Sequence, residues 1–167
     1  MRPTTDKETG PLETNKARLT KEGIRIYEAN DFAGMAKAGA LAAKILDEVA
    51  AHVFPGQTTG ELDRLITQMV DDAGAVSATI GYKGYQHASC ISVNHVVCHG
   101  IPGDKKLKDG DILNIDVTVI VDGWFGDTSR MYVAGTPSRK AERLIQVTHD
   151  ALMKGIEAAK PGNTFGD

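Results

Sequence analysis

The stretch that decides the fold reads NIDVTVIVDGWFGDTS, residues 114–129. An Asp-Gly pair lies between two runs of β-forming residues, which is a strong signal for an antiparallel hairpin with a two-residue turn. When the pair forms that turn, Val121 faces Trp124 and every other cross-strand partner is fixed. The sequence therefore predicts two paired strands, over 113–121 and 124–133.

The hairpin carries two aspartates whose positions follow from this register. Asp116 lies opposite Ser129, and two residues further along Thr118 lies opposite Asp127. Asp116 and Asp127 are then diagonal neighbours on one face, with Cα atoms roughly 7–8 Å apart. Adjacent carboxylates repel, and a divalent cation between them removes the repulsion. For the hairpin alone, turn capping or exposure to solvent is the simpler alternative. The opposite face is predicted to enter the core through Ile115, Val117 and Val119.

A second segment, SVNHVVCHGIP at residues 92–102, places His99 where a strand gives way to a turn. A histidine at such a point can reach a cleft and exchange a proton near neutral pH. Alone, a histidine is more often structural. The remaining histidines are predicted to take no part in chemistry: His52, His87, His95 and His149.

The spacing of apolar residues predicts three helices. They cover 20–53, 59–72, and a third segment that follows Pro137 and ends at Lys160-Pro161-Gly162. A short strand over 90–93 precedes the hairpin. Residues 1–18 are rich in Thr, Glu, Lys and Pro, which predicts a disordered N-terminal arm. The remainder, 19–167, reads as one domain.

A short motif occurs twice in the chain, as PGQTTGE at 55–61 and as PGNTFGD at 161–167. The first copy ends one predicted helix and opens the next. Such an echo is typical of a domain built from two similar halves. The alternative is that Pro-Gly-x-Thr is common punctuation between helices. The residues alone leave both interpretations open.

The composition excludes several classes of function. The net charge of −3 comes from 19 basic and 22 acidic residues scattered along the chain, so no basic stripe points to nucleic acid. No apolar run is long enough for a membrane span or a signal peptide. The two cysteines, Cys90 and Cys98, fit a reducing compartment better than a disulfide framework. We therefore expect a cytoplasmic protein that binds neither nucleic acid nor membrane.

Taken together, these motifs resemble the methionine aminopeptidases of the bacterial type. The resemblance runs from about Thr20 to the last residue, and the order and spacing of its motifs are highly specific. It shifts the interpretation of the two aspartates from the simpler alternative to a metal site. The matching segments are GYKGY at 81–85, CISVN at 90–94, VCHGIP at 97–102, KDGD at 108–111, NIDVT at 114–118 and GDTS at 126–129.

The resemblance implies an α+β protein with the pita-bread fold, in which two pseudo-symmetric halves enclose a metal centre. It makes the two-half interpretation of the Pro-Gly-x-Thr echo the better one. It also implies that 19–167 is an incomplete metallo-aminopeptidase catalytic domain: an antiparallel hairpin with flanking helices, forming the N-terminal half. Family members remove the initiator methionine from nascent polypeptides with two divalent ions of the Co, Mn, Fe or Zn class. The complete enzyme would be monomeric.

The resemblance also assigns roles to individual residues. Asp116 and Asp127 match the two aspartate ligands, with Asp127 bridging the metals. His99 matches the histidine that contacts the substrate near the scissile amide. The pocket for the methionine side chain is implied to include Tyr82, Tyr85 and Cys90, together with His99. Asn94 and Val96 match positions around a monovalent-cation site of some relatives.

Two departures from the family pattern change what we expect of this chain. Thr79 stands where some relatives have a pocket cysteine. The later histidine and the two glutamate ligands of the family have no counterpart before Asp167. We therefore expect this chain alone to bind metal weakly, to show little activity and to self-associate. The other interpretations are an incomplete record of a longer enzyme, a non-catalytic binding module of the same fold, and a related proline dipeptidase.

Overall fold

The computed structural model describes residues 18–167, so the arm predicted for 1–18 lies outside the described residues except for Arg18. The described part contains three α-helices and six β-strands. These are β1 Arg18–Leu19, β2 Arg25–Ile26, α1 Ala29–Val49, α2 Thr59–Asp72, β3 Val76–Ser77, β4 Ser89–Val93, β5 Asp111–Val121, β6 Trp124–Ala134 and α3 Arg139–Ala158. Short 3₁₀ turns cover Ala50–His52 and Tyr82–Gly84.

The main sheet is antiparallel and is organised around β5. β6 pairs with β5 along the full length of one edge. On the other edge, β4 pairs with the first part of β5 and β3 pairs with its end. The predicted hairpin is confirmed, including the pairing of Val121 with Trp124. The turn residue Asp122 has a φ of 50°, as a two-residue hairpin turn of this kind requires.

The core lies between one face of this sheet and the helices α1 and α2. Side chains alternate along β5, and every second one points to the helices. Ile115, Val117 and Val119 are buried there, as the sequence predicts. They pack with apolar residues of both helices, among them Ile45 and Leu62. The other face of β5 therefore carries the polar residues, including the hairpin carboxylates.

The helix predicted over 20–53 begins later than the sequence suggested. Thr20 instead belongs to a tight turn between β1 and β2, where Gly23 has a φ of 80° and the backbone N–H of Ile24 donates to the Thr20 hydroxyl. α1 begins after Glu28, whose side chain forms a capping box with Asp31. The Ala-rich pattern gave the helix correctly but not its start, because Thr20 followed by Glu22 resembles a helix cap as closely as the observed pair Glu28 and Asp31 does.

The second and third helices lie where the sequence places them. α2 occupies 59–72, and Thr58 caps it by accepting from the N–H of Glu61 while Glu61 bonds back to Thr58. α3 begins after Ser138, whose hydroxyl accepts from the N–H of Ala141. None of the residues of α3 is buried. Its apolar side chains are exposed instead, at Leu144, Val147, Leu152 and Ile156.

Candidate active site

The two hairpin carboxylates lie on one face of the sheet, as predicted. Asp116 pairs with Ser129, and Thr118 pairs with Asp127. The Thr118 hydroxyl donates a hydrogen bond of 3.1 Å to Oδ1 of Asp127. No bulge interrupts the ladder between these positions, so both side chains project from the polar face of β5 and β6.

Asp116 is the carboxylate whose ionised form is disfavoured in this arrangement. Its partial burial raises the pKa of the carboxyl, Asp127 raises it further, and His99 opposes the rise. A carboxylate whose charge is disfavoured by burial and by a like-charged neighbour is stabilised by a cation, and carboxylate oxygens suit hard divalent ions. The pair therefore fits a metal. It fits as part of a ligand set, because within residues 18–167 no group of three or more His, Cys, Asp and Glu residues is placed to hold an ion.

His99 is held against the edge of β4 by its backbone neighbours. The N–H of Ile91 donates to the carbonyl of Gly100 at 2.8 Å, and the N–H of Gly100 donates to the Ser92 hydroxyl at 3.0 Å. A Cβ at Gly100 would overlap the carbonyl of Ile91, so only glycine allows this approach. His99 itself adopts a left-handed φ of 50°. Since β4 pairs with β5, this contact brings His99 to the side of Asp116.

A cavity of about 560 Å³ opens beside the carboxylates. It brings together the predicted residues Tyr82, Tyr85, Cys90 and His99, and its full lining is Ala78, Thr79, Tyr82, Lys83, Gly84, Tyr85, Cys90, His99, Thr118 and Phe125. The carboxylates of Asp116 and Asp127 are not part of this lining. Thr118 connects the two regions, since it faces the cavity and bonds to Asp127.

The cavity wall formed by Tyr85 and Cys90 is uncharged at neutral pH. Burial is the main cause that raises the pKa of the Cys90 thiol, against a hydrogen bond with Tyr85 that lowers it. Burial also raises the pKa of Tyr85 well above its usual range. The Cys90 thiol donates to the Tyr85 hydroxyl at 3.6 Å, and that hydroxyl donates to the carbonyl of Ser89 at 2.9 Å. Such a wall suits an apolar, sulfur-containing side chain.

The Asn94 side chain, near the predicted cation position, takes part in hydrogen bonds within the protein. The Asn94 amide N–H donates to Asp111 at 2.8 Å, and its oxygen accepts from the N–H of Ile112. Both bonds join the ends of β4 and β5. The structure therefore gives the Asn94 side chain a structural role in the sheet.

Sequence reasoning missed several residues of the site, among them Lys83, Thr118 and Phe125 as lining residues and Asp63 behind the cavity. Thr118 and Phe125 lie in the predicted hairpin, but the position of the cavity depends on loops whose paths no local pattern indicates. Asp63 did leave a signal. It lies on the apolar stripe of α2, three residues before the buried Ile66, where a charged residue needs a partner.

Comparisons with known proteins identify the family of the chain. Residues 33–167 match the family described as Metallopeptidase family M24. A methionine aminopeptidase of Rickettsia prowazekii is 54% identical over 144 residues, which are 86% of this chain and 56% of that protein. The crystal structure of methionine aminopeptidase from Rickettsia prowazekii has 55% identity and a TM-score of 0.78, and the match covers 79% of this chain and 53% of the other.

A more distant structure shows how widely the fold is shared. A prolidase from Pyrococcus horikoshii OT3 is 22% identical with a TM-score of 0.70, and the match covers 82% of this chain and 38% of the prolidase. At this identity the likeness concerns the fold alone. Together these matches confirm the α+β class and the pita-bread fold of methionine aminopeptidases and prolidases.

The fold and the family match thus assign the chain to the class of metallopeptidases. The chain belongs to metallopeptidase family M24, and the relative and the crystal structure compared above are methionine aminopeptidases. The chain spans about half the length of the curated relatives it matches. None of the helices in the described part has the length and apolar character needed to cross a membrane.

Proposed function

We propose that this chain contributes the methionine pocket and two metal ligands to an aminopeptidase that removes the first methionine of polypeptides. The observation that carries the proposal is the juxtaposition of Asp116 and Asp127 with a cavity walled by Tyr85 and Cys90. The identity of 54% to a methionine aminopeptidase supports the same conclusion.

The position of each residue indicates its role in the proposed reaction. Tyr82, Tyr85 and Cys90 would enclose the methionine side chain, since they line the cavity. His99 would donate a hydrogen bond to the carbonyl oxygen on which negative charge develops during attack. Divalent ions, when bound, would supply the activated water for attack on that carbonyl. Asp116 and Asp127 would hold these ions, and Thr118 would orient Asp127.

The number of ligands sets the expected strength of metal binding. Two carboxylates are fewer than the ligands that a tight divalent site uses. Within residues 18–167 no third acidic, histidine or cysteine side chain completes a cluster with them. We therefore expect weak metal binding and little turnover from this chain by itself. The ions considered remain Co, Mn, Fe or Zn.

The test is release of methionine from a Met-Gly peptide with added Mn²⁺ or Co²⁺. Two proteins are compared: this chain alone, and a fusion in which the unmatched remainder of the Rickettsia prowazekii relative follows residue 167. We expect little release from the chain alone and release from the fusion that Asp116→Ala abolishes. Ser138→Ala, which changes only the cap of α3, serves as a control that keeps activity. A fusion that folds, binds metal and releases no methionine would contradict the proposal.

Two other functions fit fewer of the observations. A proline dipeptidase shares the fold, but the prolidase match has 22% identity against 54% for the methionine aminopeptidase. A non-catalytic binding module would not need Asp116, Asp127 and His99 together. Comparing Met-Gly with Met-Pro as substrates of the fusion separates the first alternative.

Three further expectations belong to the same proposal. The protein would act in the cytoplasm, where nascent polypeptides are made. The complete enzyme would be monomeric, whereas this chain alone would self-associate through the exposed face of α3. A monovalent cation near Asn94 and Val96 would have to use backbone carbonyls, because the Asn94 side chain is already bonded to Asp111 and Ile112.

A further inference from the structure

A buried carboxylate lies behind the cavity and has no place in the reaction proposed above. Asp63 of α2 is only 6% exposed. Its Oδ1 accepts from the N–H of Ser89 at 3.0 Å and from the Ser89 hydroxyl at 2.7 Å. Its Oδ2 lies 2.9 Å from Nδ1 of His87. The carboxylate therefore fastens the start of β4, and the loop before it, to α2.

The residues fastened by Asp63 are those that hold the cavity wall. The Tyr85 hydroxyl donates to the carbonyl of Ser89 at 2.9 Å. The His87 ring meets the Tyr85 ring edge-on, with 5.5 Å between the ring centroids. The backbone carbonyl of His87 accepts from the hydroxyl of Thr79, another lining residue, at 2.7 Å. Tyr85 and Thr79 are thus each linked to Asp63 through one intermediate residue.

The same anchor fixes the wall relative to the metal ligands. Ser89 pairs with Val117 across β4 and β5, and the next pair is Cys90 with Asp116. A shift of β4 at Ser89 would therefore move Cys90 against Asp116. An apolar residue at position 63 would fill the space, but it would not fix the position of Ser89 along α2. Directional hydrogen bonds to a buried carboxylate do so.

We propose that Asp63, acting through Ser89 and His87, is a positioning residue that sets where Tyr85 and Cys90 stand in the cavity. The proposal deepens the proposed function, since it rests on this cavity receiving the methionine side chain. Asp63 does not touch the cavity itself; it acts through the residues that do. Its loss would loosen the wall locally, with the rest of the fold in place.

The test measures the rate at which iodoacetamide alkylates Cys90 in a Cys98→Ser background, since Cys98 is exposed. We expect Asp63→Ala to raise this rate about tenfold, the change that loss of a hydrogen bond to a charged group permits. Asp63→Asn keeps the shape and an accepting oxygen for Ser89, so it should stay close to the parent rate. Because both variants remove the charge, a difference between them reports position and not electrostatics.

Two further variants separate a local from a global effect. Ser89→Ala keeps the Asp63 charge and removes one bond, and it should raise the rate by a smaller factor. Tyr132→Phe removes a buried hydrogen bond to the carbonyl of Leu46, far from the cavity wall. It serves as the control for general destabilisation, with urea unfolding measured for every variant. The proposal is overturned when Asp63→Ala raises the rate no more than Tyr132→Phe, or when Asp63→Asn matches Asp63→Ala.

Methioninamide is the probe that connects this result to the proposed function. When the cavity receives a methionine side chain, methioninamide slows alkylation of Cys90 in the parent, and less so in Asp63→Ala. Methioninamide could protect Cys90 of the parent while Asp63→Ala changes neither the alkylation rate nor this protection. That result would overturn the positioning role of Asp63 and leave the proposed function standing. A rate effect without any protection by methioninamide would instead contradict the methionine pocket.

Discussion

Gly126 of β6 lies in close contact with the backbone of α1. A Cβ at this position would overlap the backbone carbonyl of Ala38, and a backbone atom inside a helix cannot move aside cheaply. Gly39, the next residue of the helix, has open space where its Cβ would be. A side chain is therefore excluded at Gly126 but has room at Gly39, although both glycines lie near the same contact between α1 and β6.

We expect Gly126→Ala to lower the free energy of unfolding by about 1–3 kcal/mol, the usual cost of overpacking. Gly39→Ala should raise it by about 0.5–1 kcal/mol, because alanine is the better helix former. Urea unfolding followed by circular dichroism measures both. Equal stabilities of Gly126→Ala and the parent would show that α1 does not pack against β6 as closely as described.

At the scale of the elements, the hairpin shows what local sequence can predict. Its turn and its alternating side chains are encoded within residues 114–129, so the register and the diagonal placement of Asp116 and Asp127 followed without tertiary information. The start of α1 did not follow, because the capping pair Glu28 and Asp31 had to be distinguished from an equally plausible start at Thr20.

The candidate site was predictable only in the part that the hairpin and the family motifs carry. Asp116, Asp127 and four lining residues were named from the sequence, and the structure brings them to one region. The links between them were not predictable. Asp63 meets Ser89 across 26 residues of chain, and such a contact depends on how α2 packs on the sheet.

The hydrogen bond between Tyr132 of β6 and Leu46 of α1 makes the stability of the fold depend on pH. The Tyr132 hydroxyl donates to the carbonyl of Leu46 at 2.6 Å. Burial raises the pKa of Tyr132 to about 12, Arg130 opposes the rise and Asp47 adds to it. The unfolded chain would release this proton near the ordinary value of about 10. Stability contributed by the phenol is therefore complete below pH 10 and is lost as the pH rises toward 12.

We expect Tyr132→Phe to be less stable than the parent by about 1 kcal/mol at pH 8, because a buried hydrogen bond is lost. Above pH 10 the free energy of unfolding of the parent should fall by about 1–2 kcal/mol, whereas that of the variant should not fall for this reason. The stability difference between the two proteins therefore narrows or reverses. Urea unfolding at a series of pH values measures this. If the stability difference between parent and variant stays constant up to pH 11, the Tyr132 phenol has the same pKa in the folded and unfolded states, contrary to this prediction.

At the scale of the whole molecule, helices pack closely against one face of the sheet but not against the other within residues 18–167. α1 and α2 cover the apolar face, whereas α3 lies beside the hairpin with none of its residues buried. A groove of about 500 Å³ remains between α3 and the hairpin, lined by Leu152 and Met131 among others. Beside this groove α3 carries an exposed apolar strip, formed by Leu144, Val147, Leu152 and Ile156. Such a strip favours association with another apolar surface.

We expect this chain to associate with itself in a concentration-dependent manner, and Leu152→Asp to shift it toward the monomer. Leu152 is 59% exposed and lines the groove. Met153, which is 43% exposed, points about 100° away around the helix and does not line it. Met153→Asp is therefore the matched control, since it makes the same chemical change to a neighbouring exposed side chain. Sedimentation velocity over a range of concentrations distinguishes the variants. A parent that stays monomeric throughout, or equal effects of both substitutions, would show that the apolar strip of α3 does not drive association.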